Sequence, residues 1–225
     1  MSSSLPALIF DLDGTLTDSK PGIVSCLQKV IDARGLGDRG PLGRFVGPPV
    51  EEWAVELLPE GSDADRISLA RDYRACYDRE GWKNNSVFLG VREMLVELKR
   101  QGFPLYVCTS KQQHFAVRIL DLFALTHLFV AVYGDRAEFA SHRKENLLGL
   151  LVREQSLHKD STWMIGDRIF DFRAAQANGL RSLAAGWGYG SAEEYALADA
   201  VAAAPTEVAP LVTPNGVALY GSEVS

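Results

Sequence analysis

The stretch Leu5-Pro6-Ala7-Leu8-Ile9-Phe10-Asp11-Leu12-Asp13-Gly14-Thr15 decides how the chain is read. Leu5 to Phe10 is a short apolar run that stops abruptly on acid and glycine, the pattern of a buried strand. Asp11 and Asp13 are two residues apart, so on a persisting strand both side chains would point to the same side. In the loop after a strand both can face one site, with Gly14 allowing the sharp turn. A plain Asx-Gly turn uses the same residues. The preceding strand and the following Thr15 favour the site.

Four further runs end in the same manner. Phe103 to Cys108 ends in Thr109-Ser110, and Leu128 to Tyr133 in Gly134-Asp135. Thr162 to Ile165 ends in Gly166-Asp167, and Arg181 to Ala185 in Gly186-Trp187-Gly188-Tyr189-Gly190. Helical patterns lie between them, over Val91 to Gln101, His114 to Phe123, Lys144 to Gln155 and Asp171 to Asn178, the last followed by the stop signal Gly179. Strands alternating with helices indicate an α/β protein with a parallel sheet covered on both faces. The polar and acidic residues fall at the carboxyl ends of the strands, where open α/β sheets place their ligands.

Residues 16 to about 87 break the alternation. They carry helical stretches (Gly22 to Arg34, Val50 to Leu58, Asp63 to Glu80) separated by Gly- and Pro-rich turns, among them Gly47-Pro48-Pro49. This segment reads as a helical insertion after the first strand. From Pro205 the chain is rich in Ala, Pro and Val, and its last ten residues are expected to be disordered.

The 225 residues suit one large domain or a main domain with a smaller companion, and can bury a sizeable core without staples. With 47% hydrophobic and 23% charged residues the composition is that of an ordinary globular protein. A net charge of −6 argues against a nucleic-acid polymer as partner, which needs a basic stripe, but not against a small anion. Cys26, Cys76 and Cys108 form no CxxC pair and no metal-ligand spacing, so buried free thiols in a reducing compartment are expected. No apolar run approaches the ~20 residues that span a bilayer. The start of the sequence has no signal-peptide pattern. A cytoplasmic protein with no membrane partner, monomeric or homodimeric, is the expectation.

The strand ends offer what hydrolysis of a phosphate ester through a covalent intermediate needs. A carboxylate attacks phosphorus, a second acid handles the proton, and cations offset the charge on the transferring group. Asp11 and Asp13 supply the acids. Thr109-Ser110-Lys111, ahead of a helix, offers a hydroxyl and N–H groups as a phosphate cradle, although an ordinary N-cap has the same residues. Lys144 opens a helix with Arg143 beside it, and spacing does not decide which of them faces the site. In Gly166-Asp167-Arg168-Ile169-Phe170-Asp171 two carboxylates lie four residues apart, near one face of a starting helix. They suit Mg²⁺, and could equally stabilise the helix start.

Together, DLDGT at Asp11 to Thr15, TSK at Thr109 to Lys111, Lys144, and GDRIFD at Gly166 to Asp171 make the chain resemble the phosphatase branch of the haloacid dehalogenase-like hydrolases, over nearly its whole length. The stretches DGTLTDSKPGI at Asp13 to Ile23, FVGPP at Phe45 to Pro49 and WGYG at Trp187 to Gly190 are similar to the phosphoglycolate phosphatase-like subgroup, which also holds enzymes acting on nucleoside monophosphates. Gly134 to Arg143 matches that subgroup's pattern poorly.

The resemblance implies a Rossmann-like, doubly wound core (residues 1–15 and 88–225) with an inserted helical cap (16–87). It implies an Mg²⁺-dependent phosphatase of a small phosphorylated metabolite, phosphoglycolate-like, working through an aspartyl-phosphate. Asp11 would be the nucleophile and Asp13 the general acid/base. Gly14, Thr15, Thr109, Ser110 and Lys144 would serve the phosphate. Asp11, Asp167, Asp171 and Asp13, the last through its backbone carbonyl, would serve the metal. Alternatives are a nucleoside monophosphate 5′-phosphatase, a phosphohexose mutase, and a phosphonate hydrolase, which would need a cap lysine such as Lys20, Lys29 or Lys83. Arg44 and Gly47 are the candidate cap contacts to substrate. Trp53 and Trp82 read as core, and the four histidines as structural or exposed.

Overall fold

The computed structural model describes residues 5–48, 50–136 and 143–213. In chain order the elements are β1 (Ala7–Phe10), β2 (Thr17–Asp18), α1 (Lys20–Ala33), α2 (Val50–Leu57), α3 (Asp63–Arg79), β3 (Ser86–Val87), α4 (Val91–Arg100), β4 (Leu105–Gln112) and α5 (Gln113–Leu122). They continue with β5 (Ala131–Asp135), α6 (Lys144–Glu154), β6 (Thr162–Gly166), α7 (Ile169–Asn178), β7 (Arg181–Ala185), α8 (Ala192–Tyr195), β8 (Ala200–Ala202) and α9 (Val208–Val212).

Six strands form one sheet in the order β5-β4-β1-β6-β7-β8, and every pairing in it is parallel. β1 is central and its four side chains alternate between two apolar cores. Leu8 and Phe10 join Leu105, Val107, Trp163 and Ile165 on one face. Ala7 and Ile9 join Tyr106, Cys108 and Met164 on the other. Helices α4, α5 and α9 cover the first face, and α6 and α7 the second. This is the doubly wound α/β arrangement expected from the strand–helix alternation. The chain steps from β1 out to β4 and β5, then returns across β1 to β6. The carboxyl ends of β4, β1 and β6 therefore surround the crevice where such sheets bind ligands.

β1 is short because Asp11 and Gly14 end its apolar run, and it is buried along its whole length. Residues 16–87 carry α1–α3, whose apolar faces enclose a separate cluster including Leu27, Ile31, Trp53, Leu57 and Leu69. Their two ends are tied by a two-stranded antiparallel ribbon in which Thr17 pairs with Val87 and Asp18 with Ser86.

Two expectations need correction. β4 continues past Cys108 to Gln112, with a register shift between those residues, and α5 begins only at Gln113. Thr109-Ser110-Lys111 is therefore strand and not a helix cap. β8 was not expected, because three residues of Ala-Val-Ala carry too little bulk to mark a strand. The expected disorder of the last ten residues, Pro49 of the Gly-Pro-Pro turn, and His142 lie outside the described residues.

Candidate active site

The loop after β1 is set by backbone bonds. The Asp11 N–H donates to the Ile165 carbonyl of β6 at 2.8 Å, and the N–H groups of Leu16 and Thr17 turn back onto the Leu12 carbonyl at 3.0 and 2.9 Å. Gly14 takes φ +86°, and its N–H donates to the Thr17 carbonyl at 2.8 Å. A Cβ on Gly14 would stand 2.2 Å from an Asp167 carboxylate oxygen. Glycine is required twice over here, for the left-handed backbone and for the approach of Asp167. Gly14→Ala is expected to lower turnover about 100-fold by displacing Asp167 and the loop. Phosphate-release kinetics on protein with an unchanged far-ultraviolet spectrum check this.

Asp11, Asp167 and Asp171 are buried, and their ligand oxygens lie within 4.8 Å of one another. Asp167 follows β6 directly. It accepts from the Thr15 hydroxyl at 3.2 Å and from the Tyr189 N–H at 2.9 Å. Asp171 uses its two oxygens for different tasks. Oδ2 accepts the Arg168 N–H at 3.0 Å and caps α7, while Oδ1 meets the Lys144 ammonium. Helix stabilisation and site chemistry, alternatives on spacing alone, coexist in this one side chain. Lys144 also meets Asp11 at 2.9 Å, and is itself buried. Arg143 is exposed beside it, so Lys144 is the cation facing the carboxylates.

The charges do not balance, with three buried carboxylates facing one ammonium. Burial pushes the Asp11 carboxyl up to about 6; Lys144 opposes the rise and Asp171 adds to it. Burial, followed by the charges of Asp171 and Asp11, raises Asp167 well above the usual carboxylate range. Burial works to lower the Lys144 ammonium, but Asp11 and Asp171 outweigh it and hold it above the ordinary lysine value. An all-oxygen, anionic and crowded donor set of this kind fits a hard divalent cation such as Mg²⁺.

Asp13 stands apart from that cluster. Its Oδ2 meets the Lys111 ammonium at 2.8 Å, and its Oδ1 is buried with no hydrogen-bond partner among the described residues. Lys111 donates in turn to the Tyr77 hydroxyl of α3 at 2.9 Å, which ties the loop after β1 to the inserted segment. The Thr109 hydroxyl accepts the Lys111 N–H at 3.2 Å.

These groups open onto a cavity of about 430 Å³ between the strand ends and α1–α3. Asp11, Asp13, Thr109, Ser110, Lys144 and Asp171 line it. Gly14 and Thr15 do not, contrary to their expected phosphate contact. The Thr15 hydroxyl is engaged with Asp167, and both N–H groups are used in the turn. Of the two expected cap contacts, Gly47 lines the cavity and Arg44 does not. The Arg44 guanidinium turns away to Glu56 and to the Pro41 and Arg39 carbonyls. Lys20, Lys29 and Lys83, the cap lysines considered for phosphonate hydrolysis, also lie off the cavity lining.

Sequence reasoning missed Lys111 as an ion-pair partner. It also missed Arg168, which donates to the Val46 carbonyl at 2.6 Å while paired with Glu194 at 3.1 Å. Trp53 is buried in the α1–α3 cluster as expected, and it reaches the cavity as well. The WGYG loop supports the site from behind. Trp187 donates to the Thr15 carbonyl at 2.9 Å, and a Cβ on Gly188 would stand 2.3 Å from Asp167. The adjacent glycines were the available signal for that close approach. Elsewhere, Cys26 and Cys76 are distant in sequence but neighbours across α1 and α3, close to Glu80, which is paired with Lys29 and Arg79.

Comparison with known proteins gives a consistent picture. The family described as haloacid dehalogenase-like hydrolase matches residues 8–185. A 5′-nucleotidase of Pseudomonas aeruginosa is 35% identical over 84% of this chain and 86% of its own length. The tyrosine-protein kinase PtkA of Mycobacterium tuberculosis is 36% identical over 83% of this chain, which spans 64% of that protein; its solved structure superposes with a TM-score of 0.73 at 34% identity, covering 84% of this chain and 88% of that one. A phosphoglycolate phosphatase of Pectobacterium atrosepticum is 27% identical over 93% of both chains.

Proposed function

Because the chain belongs to the haloacid dehalogenase-like hydrolases, in their phosphoglycolate phosphatase-like subgroup, we propose that it is an Mg²⁺-dependent phosphatase of a small phosphate monoester that works through an aspartyl-phosphate. One observation carries the reading. Asp11 and Asp13 face a single cavity; Lys144 and the carboxylates of Asp167 and Asp171 stand beside Asp11, while Asp13 is paired apart from them with Lys111.

Asp11, Asp167, Asp171 and the Asp13 backbone carbonyl would hold Mg²⁺, which when bound offsets negative charge on the transferring group. The remaining chemistry belongs to the chain. An Asp11 carboxylate oxygen attacks phosphorus, forming an acyl-phosphate bond as the ester P–O bond breaks. Asp13, with its unpartnered Oδ1, gives a proton to the departing alkoxide. It then takes a proton from water as the water oxygen attacks phosphorus, and Asp11 and inorganic phosphate are released. Thr109 and Ser110 line the cavity from β4 and would hold phosphoryl oxygens, with Lys144 beside Asp11 balancing their charge. The N-terminal end of α7, capped by Asp171, adds a favourable dipole at the same place.

The phosphoglycolate-like ester expected from the sequence and the nucleoside monophosphates are the two substrate candidates. A phosphohexose mutase would need a sugar bisphosphate for activation and would release little phosphate. PtkA is named a kinase, and transfer of that kind would move phosphate from a nucleotide to protein, with no free phosphate. Purified protein should therefore release phosphate from a generic aryl phosphate with Mg²⁺ and stop in excess chelator. Undiminished activity in chelator overturns the reading.

A further inference from the structure

We infer that Cys26 and Cys76 form a modification site in the inserted segment, where a small-molecule disulfide oxidises the two thiols to an intramolecular disulfide that staples α1 to α3. Neither thiol lines the strand-end cavity.

Geometry brings the pair together. The Cys26 and Cys76 sulfurs and a Glu80 carboxylate oxygen lie within 4.8 Å of one another. Glycines allow that approach. A Cβ on Gly22 would run into the Gly81 carbonyl oxygen, and a Cβ on Gly81 would stand 2.8 Å from the Cys26 sulfur. The backbone of α1 thus lies directly against the turn that follows α3, and the two sulfurs meet where the helices pack. A disulfide holds its sulfurs about 2 Å apart, a small adjustment from this start. Cys108 belongs to the core on the opposite face of the sheet and takes no part.

Charge decides between a disulfide and a metal. Two thiols and a carboxylate are also a ligand set for a soft metal such as Zn²⁺. That use is opposed twice here. The Glu80 oxygen that accepts from the Cys76 thiol at 3.5 Å also meets the Lys29 ammonium and the Arg79 guanidinium, each at 3.0 Å, so two cations already serve it. Cys26 is fully buried, and burial, followed by its hydrogen bond with Cys76, pushes its thiol up to about 12, against the thiolate a metal requires. A disulfide is neutral and leaves no charge in the core.

Access sets the order of events. Cys76 lines a cleft of about 390 Å³ between α1 and α3, and Cys26 does not. The Cys76 sulfur therefore attacks the S–S bond of the reagent, keeping one half and releasing the other as a thiol. The Cys26 sulfur then attacks the Cys76 sulfur and expels the second half. Two electrons pass from the protein to the reagent, and the two protein thiol protons leave on the two thiols released. The new bond bears on the strand-end cavity through Tyr77, which follows Cys76, packs beside Gly81 and accepts from Lys111, the partner of Asp13. Drawing Cys76 toward Cys26 displaces that contact, so, resting on the phosphatase reading, oxidation lowers turnover.

The experiment incubates the full chain with oxidised glutathione and titrates its free thiols after unfolding. They should fall from three to one with no glutathione retained, and the oxidised protein should melt roughly 5 °C above the reduced. Cys26→Ala should retain one glutathione on Cys76, and Cys76→Ala should retain none. Hydrolysis of an aryl phosphate should slow about 5-fold on oxidation and recover in dithiothreitol, while Cys76→Ala keeps its rate throughout. Three thiols after incubation, loss of the Cys108 thiol, or glutathione retained by Cys76→Ala overturns the proposal. So does an unchanged rate in fully oxidised protein, or reduced protein that holds one Zn²⁺ per chain and loses it in Cys76→Ala. If the reduced protein hydrolyses no ester, the phosphatase reading has failed instead, and the thiol count and melting temperature decide this proposal alone.

Discussion

Asp11→Asn protein releases no phosphate above roughly one part in 10⁴ of the native rate, and without divalent cations it melts at a higher temperature than the native chain. The first effect follows from removal of the attacking oxygen, since an amide cannot form the acyl-phosphate. The second follows from the crowding of carboxylates. In the folded chain burial pushes the Asp11 carboxyl up to about 6 from 3.8. A carboxyl raised by folding binds its proton more tightly in the native state, so stability falls as pH rises from about 4 to about 6 and stays reduced above. Asparagine is neutral throughout and escapes that cost, which is on the order of 2–3 kcal/mol. In chelator near pH 8 the melting temperature should rise by roughly 5 °C, and near pH 4 the gain should vanish. Calorimetry over that range checks the sign. A variant less stable than native near pH 8 would show that the cluster does not strain the metal-free fold.

Lys144→Met should be the most damaging single change to the fold outside the apolar cores. Among the described residues Lys144 is the one ammonium beside the three buried carboxylates, and methionine keeps its length while deleting its charge. Removing one partner of a buried ionic group leaves uncompensated charge and costs about 3–5 kcal/mol. Denaturant unfolding in chelator measures this loss. Mg²⁺ should return more stability to the variant than to the native chain, because it binds where charge is then least balanced. Lys144→Arg should retain the fold better than Lys144→Met, and turn over more slowly than native because the planar fork cannot reproduce the contacts of a compact ammonium. Equal stability of Lys144→Met and the native chain without metal would refute the charge argument.

Much of this was legible in the sequence, for identifiable reasons. β1 is buried on both sides, so its apolar run is uninterrupted, and the ends of β1, β6 and β7 are marked by the acids and glycines that matter. Asp11 and Asp167 could be found because strand ends place such residues at one crevice, whereas spacing left Lys144 and Arg143 undecided. Contacts that depend on two distant segments left no local trace. Lys111 looked like part of a helix cap until β4 ran on past it, and only the fold brings it between Asp13 and Tyr77. Arg44 and Arg168 are both arginines near glycine-rich turns. Sequence offers no means of knowing that the first folds onto its own helix turn while the second reaches from the core to Val46.

The ribbon of Thr17–Asp18 with Ser86–Val87 also bears on how the chain acquires its structure. β1 is made first, yet its partners in the sheet are Val107 on one side and Ile165 on the other. The middle of the sheet therefore waits for the most distant contacts, and topology of this kind slows folding. Residues between the ribbon strands hold a largely local set of apolar contacts and can collapse as soon as they are synthesised. Once Thr17 meets Val87, only the arms 10–17 and 87–107 remain to be closed before β1 finds β4. Breaking the ribbon, for example with a proline at Thr17, should slow refolding from denaturant more than it accelerates unfolding.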